Sequence, residues 1–281
     1  MAASAKAISL EKPKPPGEDW TVVLPRRRKQ KRDFRKIIEC ELQKPGESWS
    51  PVDLQSDPES ESKLMQKMQS YIEKLENSEF YQAFIQQIQS PEMSDHFHKV
   101  LGTAEKMQMV IYGIGSIESY EPPRIQLSLA ILMKRKFTWI GDVEVFDPVI
   151  SLTESKVLSA LGCSVLSFNE QGRRQASKPT LFFMPHCEAG LYDNLLQANW
   201  GVLMLNKIVL FGNSFEAYEQ ISSVCKDPMC GETQRHILAI RKFTKEFPIN
   251  PMVDDYFRTF HTSSWHFFGI GHDEDLQIVK L

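Results

Sequence analysis

MQMVIYGIGS, residues 107–116, is an apolar run that ends on two glycines, Gly113 and Gly115. A short, nearly uninterrupted apolar run closed by glycine reads as a strand buried on both faces and turning sharply at its end. Beyond it, Pro122-Pro123 opens the apolar helix RIQLSLAILMK, so the pair makes a βα unit. The alternation repeats downstream. VEVFDP reads as a strand ending in an acid, LTESKVLSALG as a helix with Thr153 or Glu154 near its start, and CSVLSF as a third strand. TLFFMPH is a fourth strand, Ala189 to about Asn199 a helix, and KIVLFGNS a fifth strand with another helix starting near Phe215. The fold class is therefore α/β and Rossmann-like, a mostly parallel sheet with helices on both faces. Toward the C-terminus, ETQRHILAIRKFTKEF places Ile237, Ile240 and Phe243 on one helical face that Pro248 ends. The aromatic DDYFRTFHTSSWHFFGIG returns to the core as a strand or ordered tail.

Upstream of the core the pattern differs. Leu64, Met68, Ile72 and Leu75 recur at helical spacing, Phe80, Tyr81, Phe84, Ile85 and Ile88 continue an apolar face, and Ser90-Pro91 starts a further short helix. Residues 63–104 thus form a helical extension packing on the 105–281 domain. Residues 1–62 are rich in Pro, Ser and charge and are expected to be a disordered tail. That tail holds the basic run Arg26 to Arg32, which reads either as an import or nucleic-acid contact or as a solvated segment with no dedicated partner.

With 281 residues, 42% hydrophobic and 25% charged, the chain has the composition of a globular protein. Leu127 to Met133, its densest apolar stretch, is too short to cross a bilayer, and the first twenty residues lack a signal-type apolar segment. The expected compartment is the cytoplasm, and also the nucleus. Cys40, Cys163, Cys187, Cys225 and Cys230 are scattered and odd in number, so they read as reduced thiols. Cys225, Cys230 and His236 fall outside tight zinc spacing, and no metal site is expected.

Ligands of doubly wound sheets sit beyond the carboxyl ends of the strands. The residues there are Gly113, Gly115 and Ser116 after the first strand, Asp147 after the second, His186 and Cys187 after the fourth, and Asn213 and Ser214 after the fifth. Two readings stand for the first turn. It cradles a phosphate or a methionine-type cofactor while Asp147 holds ribose hydroxyls, or it is a tight structural turn with a capping acid. Glu118 occupies the third glycine position of GxGxxG, and Asp147 lies further along than the usual spacing. His186 reads as a functional imidazole or a hydrogen-bonded strand-end residue, Cys187 as packing, and Asn213-Ser214 as ligand contacts or helix caps. No base, nucleophile and metal combine into a catalytic set.

YGIGS, PPRIQLSLAIL, VFDPV, FNEQG, TLFFMPHCEAGLYDNLLQANW, VLFGNSFEAY and TSSWHFF together resemble the Sensitivity-to-Red-light-Reduced family, in the form of its animal SRR-like members, over Met107 to Phe268. That resemblance implies a part in regulating haem biosynthesis and circadian core clock genes, with regulatory protein partners. It supplies no catalytic assignment. A small metabolite, haem, S-adenosylmethionine or a nucleotide, is the ligand class the core invites. Direct nucleic-acid or membrane binding is not expected. No Cys-Pro dipeptide is present, so a haem site here would use other ligands, His186 and Cys187. The alternative to a regulator is an S-adenosylmethionine- or nucleotide-dependent enzyme using the strand-end rim.

Overall fold

The computed structural model describes residues 48–51, 53, 56–224, 234–249 and 256–271. The basic run and Cys40, Cys225 and Cys230 lie outside them. Three helices come first: α1 (Pro58–Glu76), α2 (Glu79–Gln89) and α3 (Pro91–Leu101). α1 begins five residues before the start suggested by its apolar spacing, because Asp57 caps the Glu59 and Ser60 amides and Pro58 takes the first helical position. Part of the segment expected to be tail also packs on the core. Trp49 is buried edge-on against Phe146 at 5.4 Å, its amide bonds Ser167, and Asp53 accepts the Leu152 amide.

The core follows as β1 (Met107–Tyr112), α4 (Glu121–Lys136), β2 (Ile140–Phe146), α5 (Leu152–Ala160), β3 (Cys163–Val165), β4 (Thr180–Met184), α6 (Ala189–Ala198), α7 (Val202–Leu205), β5 (Ile208–Asn213) and α8 (Phe215–Val224). α9 (Arg235–Ile240), β6 (Thr244–Pro248), α10 (Phe257–Phe260) and β7 (Ser263–Phe268) complete it. The seven strands run in the order β3-β2-β1-β4-β5-β7-β6. β1 to β5 are mutually parallel, and β7 runs antiparallel between β5 and β6. The expected helix over Glu232 to Phe247 is thereby corrected. It is helical only through Phe243, and Thr244 to Pro248 extend along β7 instead. Pairing with an aromatic neighbour strand overrides the helical spacing, as tertiary context routinely does.

Of the three N-terminal helices, α1 packs on α4 and α5, while α2 and α3 pack on the sheet through rings. Phe84 meets Phe211 and Trp265, while Phe97 meets Trp139, Trp265 and Phe267. At the antiparallel end, His266 is fully buried, bonded through Nδ1 to Leu210 O and tilted against Phe215 at 4.2 Å. Burial lowers its imidazole from the ordinary 6.5 to about 4. The unfolded chain therefore binds the extra proton first as pH drops. Stability is expected to fall from pH 6.5 to about 4 and to lose nothing more from this group below that. Urea unfolding across that window checks it: His266→Phe should flatten this part of the pH profile, and an unchanged slope would remove His266 from the account.

Candidate functional site

Because β1 leads outward to β2 and β3 while β4 and β5 lie on its other side, the order of the sheet reverses between β1 and β4. The carboxyl ends flanking that reversal are where a doubly wound sheet opens a crevice. A cleft of about 450 Å³ lies there. Its lining includes Tyr112 and Gly113 at the end of β1, Phe146, Asp147 and Pro148 at the end of β2, Asn169, Gln171 and Gly172 from the β3–β4 loop, His186, Cys187 and Glu188 from the β4–α6 turn, and Gly190, Leu191 and Asn194 from α6.

Of the eight strand-end residues named from the sequence, Gly113, Asp147, His186 and Cys187 line this cleft. Gly113 adopts φ +66, and a Cβ there would lie 2.5 Å from the Cys187 sulfur. Only glycine lets the β1 turn pass so close to the β4 turn. Asp147 is buried and binds backbone with both oxygens: Oδ2 accepts the Gly115 amide at 2.8 Å and Oδ1 the Val149 amide at 3.0 Å. His186 holds φ +57, a strained conformation for a side-chain-bearing residue. Its Nε2 bonds Thr259 O at 2.9 Å, so that nitrogen carries the proton, and its ring lies tilted against His261 at 4.8 Å. Burial of the ring and the neighbouring His261 lower its pKa, which favours the neutral imidazole.

The other four residues serve the frame of the site and are not among its lining. Gly115 (φ +74) gives its amide to Asp147. Ser116 is buried, donating to Glu154 Oε1 at 2.7 Å and accepting the Ser119 amide. Asn213 holds the β4 turn in place, its Oδ1 accepting the His186 amide and its Nδ2 donating to Cys187 O and Tyr218 Oη. Ser214 caps α8 by accepting the Ala217 amide. Cys187 is buried and donates to Tyr112 O, and burial pushes its thiol far above the usual range. It is a packed thiol, not a nucleophile.

Sequence reading did not single out the loop over the cleft. Asn169 Oδ1 accepts the Gln171 amide, Gln171 and Gly172 both take positive φ, and Arg173 N closes the turn onto Glu170 O. A Cβ at Gly172 would stand 2.8 Å from Leu191 O, so this loop presses directly on α6. Behind it, Arg174 joins Glu144 to Glu170, and Glu170 accepts from the Tyr112 hydroxyl. The usable signal was an asparagine shortly before a glycine, a turn signature within FNEQG. Among the described residues, no group of three or more His, Cys, Asp or Glu is placed to hold a metal ion, and no helix is long and apolar enough to cross a membrane.

Strand order and cleft define the protein as a Rossmann-like α/β protein with a ligand-sized crevice at the switch point of its sheet. Its residues 72–267 match the SRR1 domain, and the chain belongs to that family. It is 53% identical over 261 residues to Protein SENSITIVITY TO RED LIGHT REDUCED 1 of Arabidopsis thaliana, covering 92% of this chain and 94% of that protein. The mouse SRR1-like protein is 39% identical over 42% of this chain and 48% of that protein, and the Drosophila melanogaster one 30% over 44% and 41%. Of these three, the plant protein shares more than the animal ones. Among solved structures, cofactor-bound Rv0187 from MTB shows a TM-score of 0.37 at 9% identity, over 77% of this chain and 92% of that one. The 23S rRNA methyltransferase ErmE shows 0.35 at 9%, over 67% and 71%.

Proposed function

We propose that this chain is a non-catalytic regulator whose switch-point cleft binds a small metabolite and passes that occupancy to protein partners in the cytoplasm and nucleus. The finer reading, carried by the family, is regulation of haem biosynthesis and of circadian core clock genes. Its Arabidopsis relative is named for sensitivity to red light, a regulatory name. The observation that supports a binding role over a catalytic one is that the reactive groups are already committed to the fold. The Cys187 thiol is buried and bonded to Tyr112 O, His186 Nε2 to Thr259 O, and both Asp147 oxygens to backbone amides. The alternative, an S-adenosylmethionine- or nucleotide-dependent enzyme, draws on the position of the cleft at the switch point.

Native mass spectrometry of the full chain with haem, S-adenosylmethionine and NAD(P) tests the reading. The expected result is a stoichiometric adduct with one of them and no turnover. Gly190 lines the cleft, and a Cβ there meets nothing within 4 Å, so Gly190→Trp plugs the space without a clash at its root. The adduct should be lost in that variant at an unchanged unfolding midpoint. Absence of any adduct would end the metabolite reading, and release of S-adenosylhomocysteine would establish the enzyme.

A further inference from the structure

We infer that the cleft takes a phosphate-free small molecule carrying net positive charge, and rejects phosphate-bearing nucleotides and the dianionic haem. The inference rests on the metabolite-binding reading above and specifies its ligand. In nucleotide-binding sheets of this kind the phosphate lies against the amides of the β1 turn and the N-terminus of the helix that follows. Here four of those donors already have acceptors. Gly113 N bonds Phe146 O, Gly115 N bonds Asp147, Glu118 N bonds Glu154, and Ser119 N bonds the Ser116 hydroxyl.

Two of those acceptors are carboxylates of this chain, buried at 6% and 1% exposure for Asp147 and Glu154. They stand where a bound anion would, so a phosphate must expel a buried carboxylate to reach the turn. The helix terminus is closed to it as well. α4 opens Glu121-Pro122-Pro123, which removes two amide donors from the first turn and places an acid beside it.

The rest of the cleft has the same sign. Its lining contains Asp147 and Glu188 and no lysine or arginine. Of the guanidinium groups on the neighbouring segments, Arg174 pairs with Glu144 and Glu170, Arg173 bonds the Gln197 side-chain oxygen and Arg124 bonds Ile117 O. His186 adds no compensating charge, since its surroundings favour the neutral ring. A concave site lined by acids and neutral amides concentrates cations and repels anions. Of haem, S-adenosylmethionine and the nucleotides, S-adenosylmethionine has this chemistry, with a sulfonium and an ammonium against one carboxylate.

Isothermal titration of the full chain with S-adenosylmethionine, S-adenosylhomocysteine, ATP and NADP⁺ tests this, with Gly190→Trp assigning any binding to the cleft. S-adenosylmethionine is expected to bind about tenfold or more tighter than S-adenosylhomocysteine, which lacks the sulfonium charge, with no measurable binding of ATP or NADP⁺. Glu188 is exposed, and its side chain makes no cap hydrogen bond at the start of α6. Glu188→Lys should therefore weaken S-adenosylmethionine about tenfold while leaving stability unchanged. Binding of ATP, NADP⁺ or haem that Gly190→Trp abolishes would overturn the charge assignment and leave the metabolite-binding reading standing. Failure of all four titrants overturns the inference by itself, while failure of haem too sinks the parent reading.

Discussion

Glu154→Ala is expected to lower folding stability by about 3–5 kcal/mol, the loss of three charge-assisted hydrogen bonds partly offset by water entry. Glu154 sits at the third position of α5 in a reciprocal capping box with Ser151, so its Oε2 accepts the Ser151 amide at 2.7 Å. Its Oε1 accepts the Ser116 hydroxyl and the Glu118 amide at 2.7 and 2.9 Å. One buried carboxylate thus ends the β1 turn and starts the helix after β2. Removing it leaves three donors without their acceptor, two of them on the buried residues Ser116 and Ser151. Glu154→Gln keeps the volume but turns one acceptor into a donor facing donors, so it should fall between the alanine variant and the parent. Guanidinium unfolding monitored by circular dichroism gives the values. A loss under about 1 kcal/mol for the alanine variant would mean that the turn is held by something else.

The acid was legible in the sequence as a helix-start residue, with Thr153 the other candidate; its second role was not. A sequence places a residue at a strand end or helix start but does not aim its side chain. For that reason the strand-end rule brought Gly113, Asp147 and His186 to the cleft, while Ser116, Asn213 and Ser214 came out as supports of the turns around it. Asp147 shows the limit most clearly. Its position after β2 invited a ribose-binding role, yet both oxygens face the backbone of adjoining turns.

The parallel half of the sheet was legible because apolar runs alternate with amphipathic helices between proline and glycine breaks. The antiparallel end was only half legible. Lys245 and Phe247 continue a helical spacing in sequence, and only pairing with Phe267 and Trp265 across β7 makes them a strand. His261, in ring contact with His186, was not legible because a contact between distant segments leaves no local pattern.

The contact between the β1 and β4 turns can be measured directly. Gly113→Ala is expected to cost about 2–4 kcal/mol, from two separable sources. Holding alanine at φ +66 costs about 1–2 kcal/mol. The remainder comes from the Cys187 sulfur 2.5 Å from the new Cβ, nearer than real carbon atoms approach. That sulfur cannot simply swing aside, since it is buried and bonded to Tyr112 O at 3.3 Å. Cys187→Ala alone removes one small packed atom and should cost about 1 kcal/mol. In the double variant the clash disappears and the backbone strain stays, so the two losses should fall short of additivity by about 1–2 kcal/mol. Strict additivity would show that the turns do not touch as described. The coupling bears on binding too, because Gly113 and Cys187 both line the cleft at the point where strand order reverses. If Gly113→Ala also weakens ligand binding and Cys187→Ala restores part of it, the close approach of the two turns sets the shape of the cleft as well as the stability of the sheet.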